Sequence, residues 1–110
     1  MSYSKYRAKP VVIHGIRFAS TKEGRRYQEL KLLEKAGEIK WLKLQRPYAV
    51  YAADIDSKEH KKLFTYYADF VYEDKGGIRH VEDVKGVRTP VYRLKKRIIE
   101  AVYGIKIEEI

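Results

Sequence analysis

Three residues in the second half of the chain have the types and spacing for chemistry on a phosphate: Asp69, Asp83 and Lys85. Asp74-Lys-Gly-Gly77 reads as a hairpin turn. Asp69 and Asp83 lie seven residues on either side of Gly76. With a turn of three or five residues symmetric about Gly76, the two acids face each other across the hairpin, their Cβ atoms about 5 Å apart. An even-length turn would offset them by one. Two carboxylates that close repel unless a positive charge sits between them. Mg²⁺ is one remedy, because it takes one or two carboxylates together with phosphate oxygens. Lys85 is two residues past Asp83, so strand alternation puts it on the same face. The plainer reading is an exposed Asp69 beside an Asp83–Lys85 ion pair, and Asp-x-Lys alone is common. The second acid at matching register adds the information.

Glu23 offers a third acid. Ser20-Thr-Lys-Glu23 matches a capping box, with Ser20 as N-cap, and an acid at that position also favours the positive helix end. Glu23 nevertheless shares a helical stripe with Tyr27 and Leu30, which points it toward the sheet. Cap and metal ligand are both open for Glu23, but not in one rotamer. His14, His60 and His80 lack zinc-ligand spacing. No Ser/His/Asp arrangement and no Walker-type glycine loop stand out, so no nucleotide cofactor is expected.

These residues need elements to hold them. A basic arm over 1–10 leads into one short extended piece, Val11 to Phe18. The first helix runs from Ser20 to about Ala36, with Gly37 ending it and Tyr27, Leu30 and Leu33 on its apolar stripe. Ile39 to Ala53 is strand-like, bent or at an edge because of Pro47. Leu63 to Glu73 and Ile78 to Lys85 form the hairpin. Thr89 and Pro90 open a second helix that ends at Gly104. Val91, Leu94, Ile98 and Val102 are its expected core face, with Arg93, Lys96, Arg97 and Glu100 opposite. A last short strand surrounds Ile105 and Ile107. The expected fold is α/β: one domain over 1–110, ordered helix, three antiparallel strands, helix, strand, with a mixed central sheet flanked by helices.

The chain has 110 residues and a net charge of +9. That charge points to an anionic partner, most commonly nucleic acid. A hydrophobic share of 45% is too high for a disordered segment. No apolar run reaches the roughly 18 residues of a membrane span, so no membrane partner is expected. The polar start lacks a secretory signal, and the absence of cysteine rules out disulfides and thiolate metal sites. A cytoplasmic protein is the expectation, in the host cytoplasm if phage-encoded.

The acid, then acid-x-lysine, on this order of elements resembles the PD-(D/E)xK nuclease superfamily, the restriction-endonuclease-like fold. Gly15-Ile-Arg-Phe-Ala-Ser, Lys22-Glu-Gly-Arg-Arg-Tyr-Gln-Glu-Leu, Ile39 to Gln45, Tyr67-Ala-Asp-Phe-Val-Tyr and Val81-Glu-Asp-Val-Lys-Gly together look like a family of small phage and prophage proteins of unknown function. The layout is similar to phage endonuclease I, a Holliday junction resolvase, and to the nuclease subunit of some transposases. The resemblance implies a Mg²⁺-dependent endodeoxyribonuclease, with Mn²⁺ able to substitute. It implies metal ligands at Asp69, Asp83, the Val84 carbonyl and Glu23, and catalytic roles for Glu23, Asp69, Asp83 and Lys85. Gln45 matches a glutamine without a clear role, and Lys95 a frequent basic position. The sequence departs from the pattern at Ala19, where relatives often carry an acid, at Asp83, where many have Glu, and at Ala68, in place of the superfamily's Pro.

The expected activity is hydrolysis of DNA phosphodiesters, of branched DNA such as a Holliday junction above all, by a homodimer with two active sites. The competing readings are a nicking or sequence-specific endonuclease, and a non-catalytic basic nucleic-acid-binding module. Candidate DNA contacts are Lys5, Arg7, Lys9, Arg25, Arg26, Arg88, Lys95 and Lys96.

Overall fold

The computed structural model describes residues 9–110; Lys5 and Arg7 lie outside them. The piece expected to be a single extended segment is a hairpin, β1 (Val11–Ile13) and β2 (Ile16–Phe18), paired antiparallel. His14 and Gly15 at its turn have φ of 53° and 75°. Two-residue turns with φ > 0 at both positions match the twist of antiparallel strands. The His-Gly pair at the centre of the alternation was the available signal.

Helix α1 (Thr21–Lys35) starts where the capping box put it. The N–H of Glu23 donates to Ser20 Oγ at 3.1 Å. Gly24 is buried against the hairpin, and a Cβ there would meet Ile13 Cδ1 and Val11 Cγ2 at 2.9 Å. Only glycine lets β1 and β2 sit this close to the start of α1.

The main sheet has the order β3-β4-β5-β6. Strands β3 (Ile39–Ala53), β4 (His60–Asp74) and β5 (Arg79–Asp83) run antiparallel, and β6 (Ile107–Glu109) lies parallel to β5. Helix α2 (Pro90–Tyr103) is the crossover a parallel pair requires. The fold is thus mixed α/β, with two helices, a two-stranded sheet and a mixed four-stranded one among the described residues. Pro47 lies in edge strand β3, where a missing N–H is tolerated. Asp74 shapes the β4–β5 turn, its Oδ1 accepting from the N–H of Gly76 at 2.8 Å and of Ile78 at 3.0 Å.

Each sheet face carries its own core. Tyr27 and Leu30 of α1 pack with Phe18, Ile39, Phe70 and Tyr72. Tyr92 and Ile99 of α2 pack with Tyr48, Val50, Tyr66, Ala68, Val71, Val81 and Ile107. The faces are not simply alternating positions of one strand. On β4, Tyr66 and Ala68 face α2, whereas Phe70 and Tyr72 face α1. On β3, Leu44 packs on the α1 side and Tyr48 and Val50 on the α2 side. The phase changes at one level: Leu44 pairs Phe70 and Arg46 pairs Ala68, but Gln45, with φ of 53°, interrupts the pairing opposite Asp69. Such irregularities re-aim side chains.

Helix α2 corrects the sequence expectation. Val91, Leu94 and Val102 are 61%, 58% and 58% exposed, while Tyr92 and Ile99 are buried. Of the expected stripe only Ile98 packs against the core. The helix is turned by about one position, 100° at 3.6 residues per turn. Tyr92 supplies the buried anchor, and the stems of Lys95 and Lys96 lie half-buried in line with it. Lys96 is thus not on a solvated opposite face, and Glu100 accepts from the Ile107 N–H at 2.8 Å.

Candidate active site

The β4–β5 register puts the acids together. Phe70↔Glu82, Val71↔Val81, Tyr72↔His80 and Glu73↔Arg79 are all symmetric about Gly76. The ladder stops one step short of Asp69 and Asp83, so these two occupy its open end, in the register expected from a three-residue turn. Asp69 is held at both oxygens: Gln45 Nε2 donates to Oδ1 at 3.0 Å, and the Val84 N–H to Oδ2 at 2.8 Å. Asp83 is 2% exposed. Its Oδ2 accepts from the buried Tyr66 hydroxyl, and Lys85 Nζ stands 3.5 Å from its Oδ1. Strand β5 ends at Asp83, yet Lys85 still lies on the Asp83 side, its ammonium 4.4 Å from the centroid of the Tyr92 ring.

Glu23 reaches this cluster from the first turn of α1. Only half of the capping box forms: among the described residues no hydrogen bond returns from the Glu23 carboxylate to the Ser20 N–H. Burial and the nearby Asp69 and Asp83 charges raise the Glu23 carboxyl to about 7, against a smaller lowering by Lys85. Asp83 is also raised, to about 6, first by burial and then by Asp69, while the Tyr66 hydrogen bond and Lys85 oppose the rise. The Tyr66 phenol is pushed well above its ordinary value by burial and by the Asp83 carboxylate. Three acids from α1, β4 and β5 thus crowd one partly dry place with one lysine. Among the described residues, no three acidic or histidine side chains are gathered closely enough to hold a metal ion as they stand.

Glu23 and Asp69 border a cleft of about 370 Å³, which Arg17, Phe18, Ala19 and Gln45 also line; Asp83 lies buried behind it. Arg17, from the β1–β2 hairpin, was not a sequence candidate; nothing in the sequence ties a hairpin residue to a cleft lined by β3 and β4. Lys22 was also missed, though its Nζ donates to the Lys85 carbonyl at 3.3 Å beside the acids. Ala19 also lines this cleft.

The chain matches the model of a family described as "Protein of unknown function (DUF1064)" over residues 3–108. The chain belongs to the DUF1064 family. No protein of curated function and no solved structure matches it.

In this DUF1064 protein, several candidate DNA contacts are already engaged within the chain. Arg26 grips buried Glu82 with two hydrogen bonds, Nε to Oε1 at 2.8 Å and Nη2 to Oε2 at 2.6 Å, and Tyr72 also donates to Glu82. Arg26 is therefore a structural ion-pair partner rather than a free DNA-facing cation. Its acid, Glu82, faces α1 and is not part of the Asp83-x-Lys85 motif. Arg88 Nε lies 2.9 Å and Lys96 Nζ 3.6 Å from Glu109 carboxylate oxygens. Lys95 lies 5.3 Å over the Phe64 ring. Lys9 and Arg25 are exposed.

Proposed function

We propose that this protein is a metal-dependent DNA endonuclease of the restriction-endonuclease-like type. The observation that carries the reading is the meeting of Glu23, Asp69 and Asp83 with Lys85 at the open end of the β4–β5 ladder. After the β1–β2 hairpin, the order helix, three antiparallel strands, helix, parallel strand supports this reading. The net charge of +9 fits a polyanionic substrate.

The donors are hard oxygens and suit Mg²⁺, or Mn²⁺ in its place. Asp69, Asp83, the Val84 carbonyl and Glu23 would hold it, with the carboxylates drawn closer together than they stand here. When bound, the ion lowers the pKa of water and offsets charge on the scissile phosphate. Gln45 and the Val84 N–H fix the Asp69 carboxylate so that it does not reorient during the reaction. Tyr66 does the same for Asp83. The Lys85 ammonium orients the attacking water and stabilises negative charge developing on the phosphate. Arg17 and Lys22 border the acids and would contact the phosphate backbone.

A branched substrate such as a four-way junction is the form we favour, cut by a homodimer whose two sites act symmetrically on two strands. This step rests on the similarity to junction resolvases. The test is incubation of labelled four-way junction, flap and linear duplex with Mg²⁺ or with chelator. Cleavage should need Mg²⁺, favour the junction, and vanish in Asp69→Asn and Lys85→Ala while binding persists. Normal cutting by either variant would refute the site. Binding without cleavage of any substrate in Mg²⁺ or Mn²⁺ would favour a non-catalytic module, and equal cutting of all three a nuclease without junction preference.

A further inference from the structure

Trp41 is the single tryptophan of the chain. It lies in β3 with φ of 58° and is 63% exposed. Bulky side chains rarely adopt that backbone conformation, and strain of this kind concentrates at functional sites. The cause is local. Lys40 pairs Glu73 and Lys43 pairs Val71, so Trp41 and Leu42 together oppose Tyr72 in a bulge. A bulge re-aims its side chain and sharpens the twist. Here it holds a large apolar ring in solvent.

The ring borders a groove of about 320 Å³, which Lys43, Arg46 and Arg79 also line. That volume lies within the roughly 300–1,000 Å³ of small-ligand sites. Among the described residues these three cations make no ion pair with a carboxylate, unlike Arg26, Arg88 and Lys96 near the acids. Arg46 lies over the Tyr48 ring at 4.0 Å and donates to the Pro47 carbonyl at 2.8 Å. Glu73 also lines the groove, but faces Lys40 Nζ at 3.8 Å. Lys40 Nζ stands 4.3 Å from the Trp41 ring centroid. Three cations against a single acid, Glu73, around an exposed aromatic ring are the pattern that takes bases by stacking and phosphates by charge.

We propose that this groove binds unpaired nucleotides of DNA, with a base stacked on Trp41 and its flanking phosphates neutralised by Lys43, Arg46 and Arg79. Arg46 directly follows Gln45, the residue that holds Asp69, so neighbouring residues of β3 line the groove and the acidic cleft. The inference rests on the nucleic-acid part of the proposed function and is independent of cleavage. A duplex keeps its bases stacked within the helix and leaves Trp41 without a partner. A branch or flap supplies exposed bases.

The sole tryptophan makes the site report on itself. Full-length protein is titrated with an oligothymidylate in chelator, and indole fluorescence is followed. Saturable quenching is expected, absent with a blunt duplex of equal charge. Trp41→Gly suits the bulge backbone, so its melting temperature should hold. Its affinity for labelled oligothymidylate, read by anisotropy, should fall about tenfold, the loss of one stacked base. Arg79→Ala, on the other side of the groove, leaves the bulge untouched and should lower the salt slope of binding by about 0.7, one phosphate contact on a single strand. No quenching at saturation, equal quenching by duplex, or Trp41→Gly binding within twofold of the parent would overturn the proposal. So would indole fluorescence that changes with protein concentration alone, which marks the groove as a self-association surface. Quenching without any Mg²⁺-dependent cleavage would refute the nuclease instead and leave the groove standing.

Discussion

Replacing Arg26 by Met tests the packing of α1 on the sheet. The change keeps most of the aliphatic stem and removes the guanidinium. Glu82 then loses two charge-assisted hydrogen bonds, at 2.8 and 2.6 Å, while its side chain stays 1% exposed. Breaking a buried pair from one side costs about 3–5 kcal/mol, because the remaining charge stays buried. Tyr72 still donates to Glu82, which offsets roughly 1 kcal/mol. The Arg26 side chain is 22% exposed, so water can partly replace it. The expected loss is therefore about 2–4 kcal/mol, read as the change in urea unfolding free energy. For a domain of this size that is a fall in Tm of roughly 10–25 °C. Arg25→Met, one residue away but exposed, should stay within about 0.5 kcal/mol. Adding Glu82→Gln to Arg26→Met should recover part of the loss, because no buried charge remains. A loss below about 1 kcal/mol for Arg26→Met would refute the reasoning, and would return Arg26 to the pool of residues free to meet DNA.

Three further outcomes can be checked in the same way. His80 bonds Asp74 through Nε2 and Glu108 through Nδ1, both at 2.8 Å, and these partners raise its pKa above 6.5; its stabilisation is complete below the unfolded value and fades as pH rises through the higher folded one, so urea midpoints should fall from pH 6 to pH 8 more steeply in the parent than in His80→Phe. Leu94→Lys should leave stability within about 0.5 kcal/mol, while Ile99→Ala, at a fully buried position, should cost about 2–5 kcal/mol by calorimetric or urea unfolding; the reverse order would restore the helix orientation read from the sequence. Gln45→Gly should raise the unfolding midpoint by relieving a left-handed conformation worth about 1 kcal/mol, yet raise the Mg²⁺ concentration needed for half-maximal cleavage because Asp69 loses its clamp; an unchanged Mg²⁺ requirement would leave Gln45 with a backbone role only.

Features that depend on short-range chemistry were legible along the chain. Ser20 and Glu23 marked the start of α1 because a capping hydroxyl must lie three residues from the N–H it accepts. Gly76 and Gly77 fixed the hairpin centre, and symmetry about it then placed Asp69 opposite Asp83, because strand pairing has a strict period. Tertiary packing decided the rest. The two apolar stripes of α2, one through Leu94 and one through Tyr92 and Ile99, are adjacent on the helix surface, and only the shape of the sheet chose between them. Arg26 is a basic surface residue in sequence, and becomes a structural one when the fold brings buried Glu82 from 56 positions away. Glu23 had two equally sound local roles. The sheet drew its carboxylate toward Asp69 and Asp83, because a residue's surroundings are set by distant segments that no local pattern encodes.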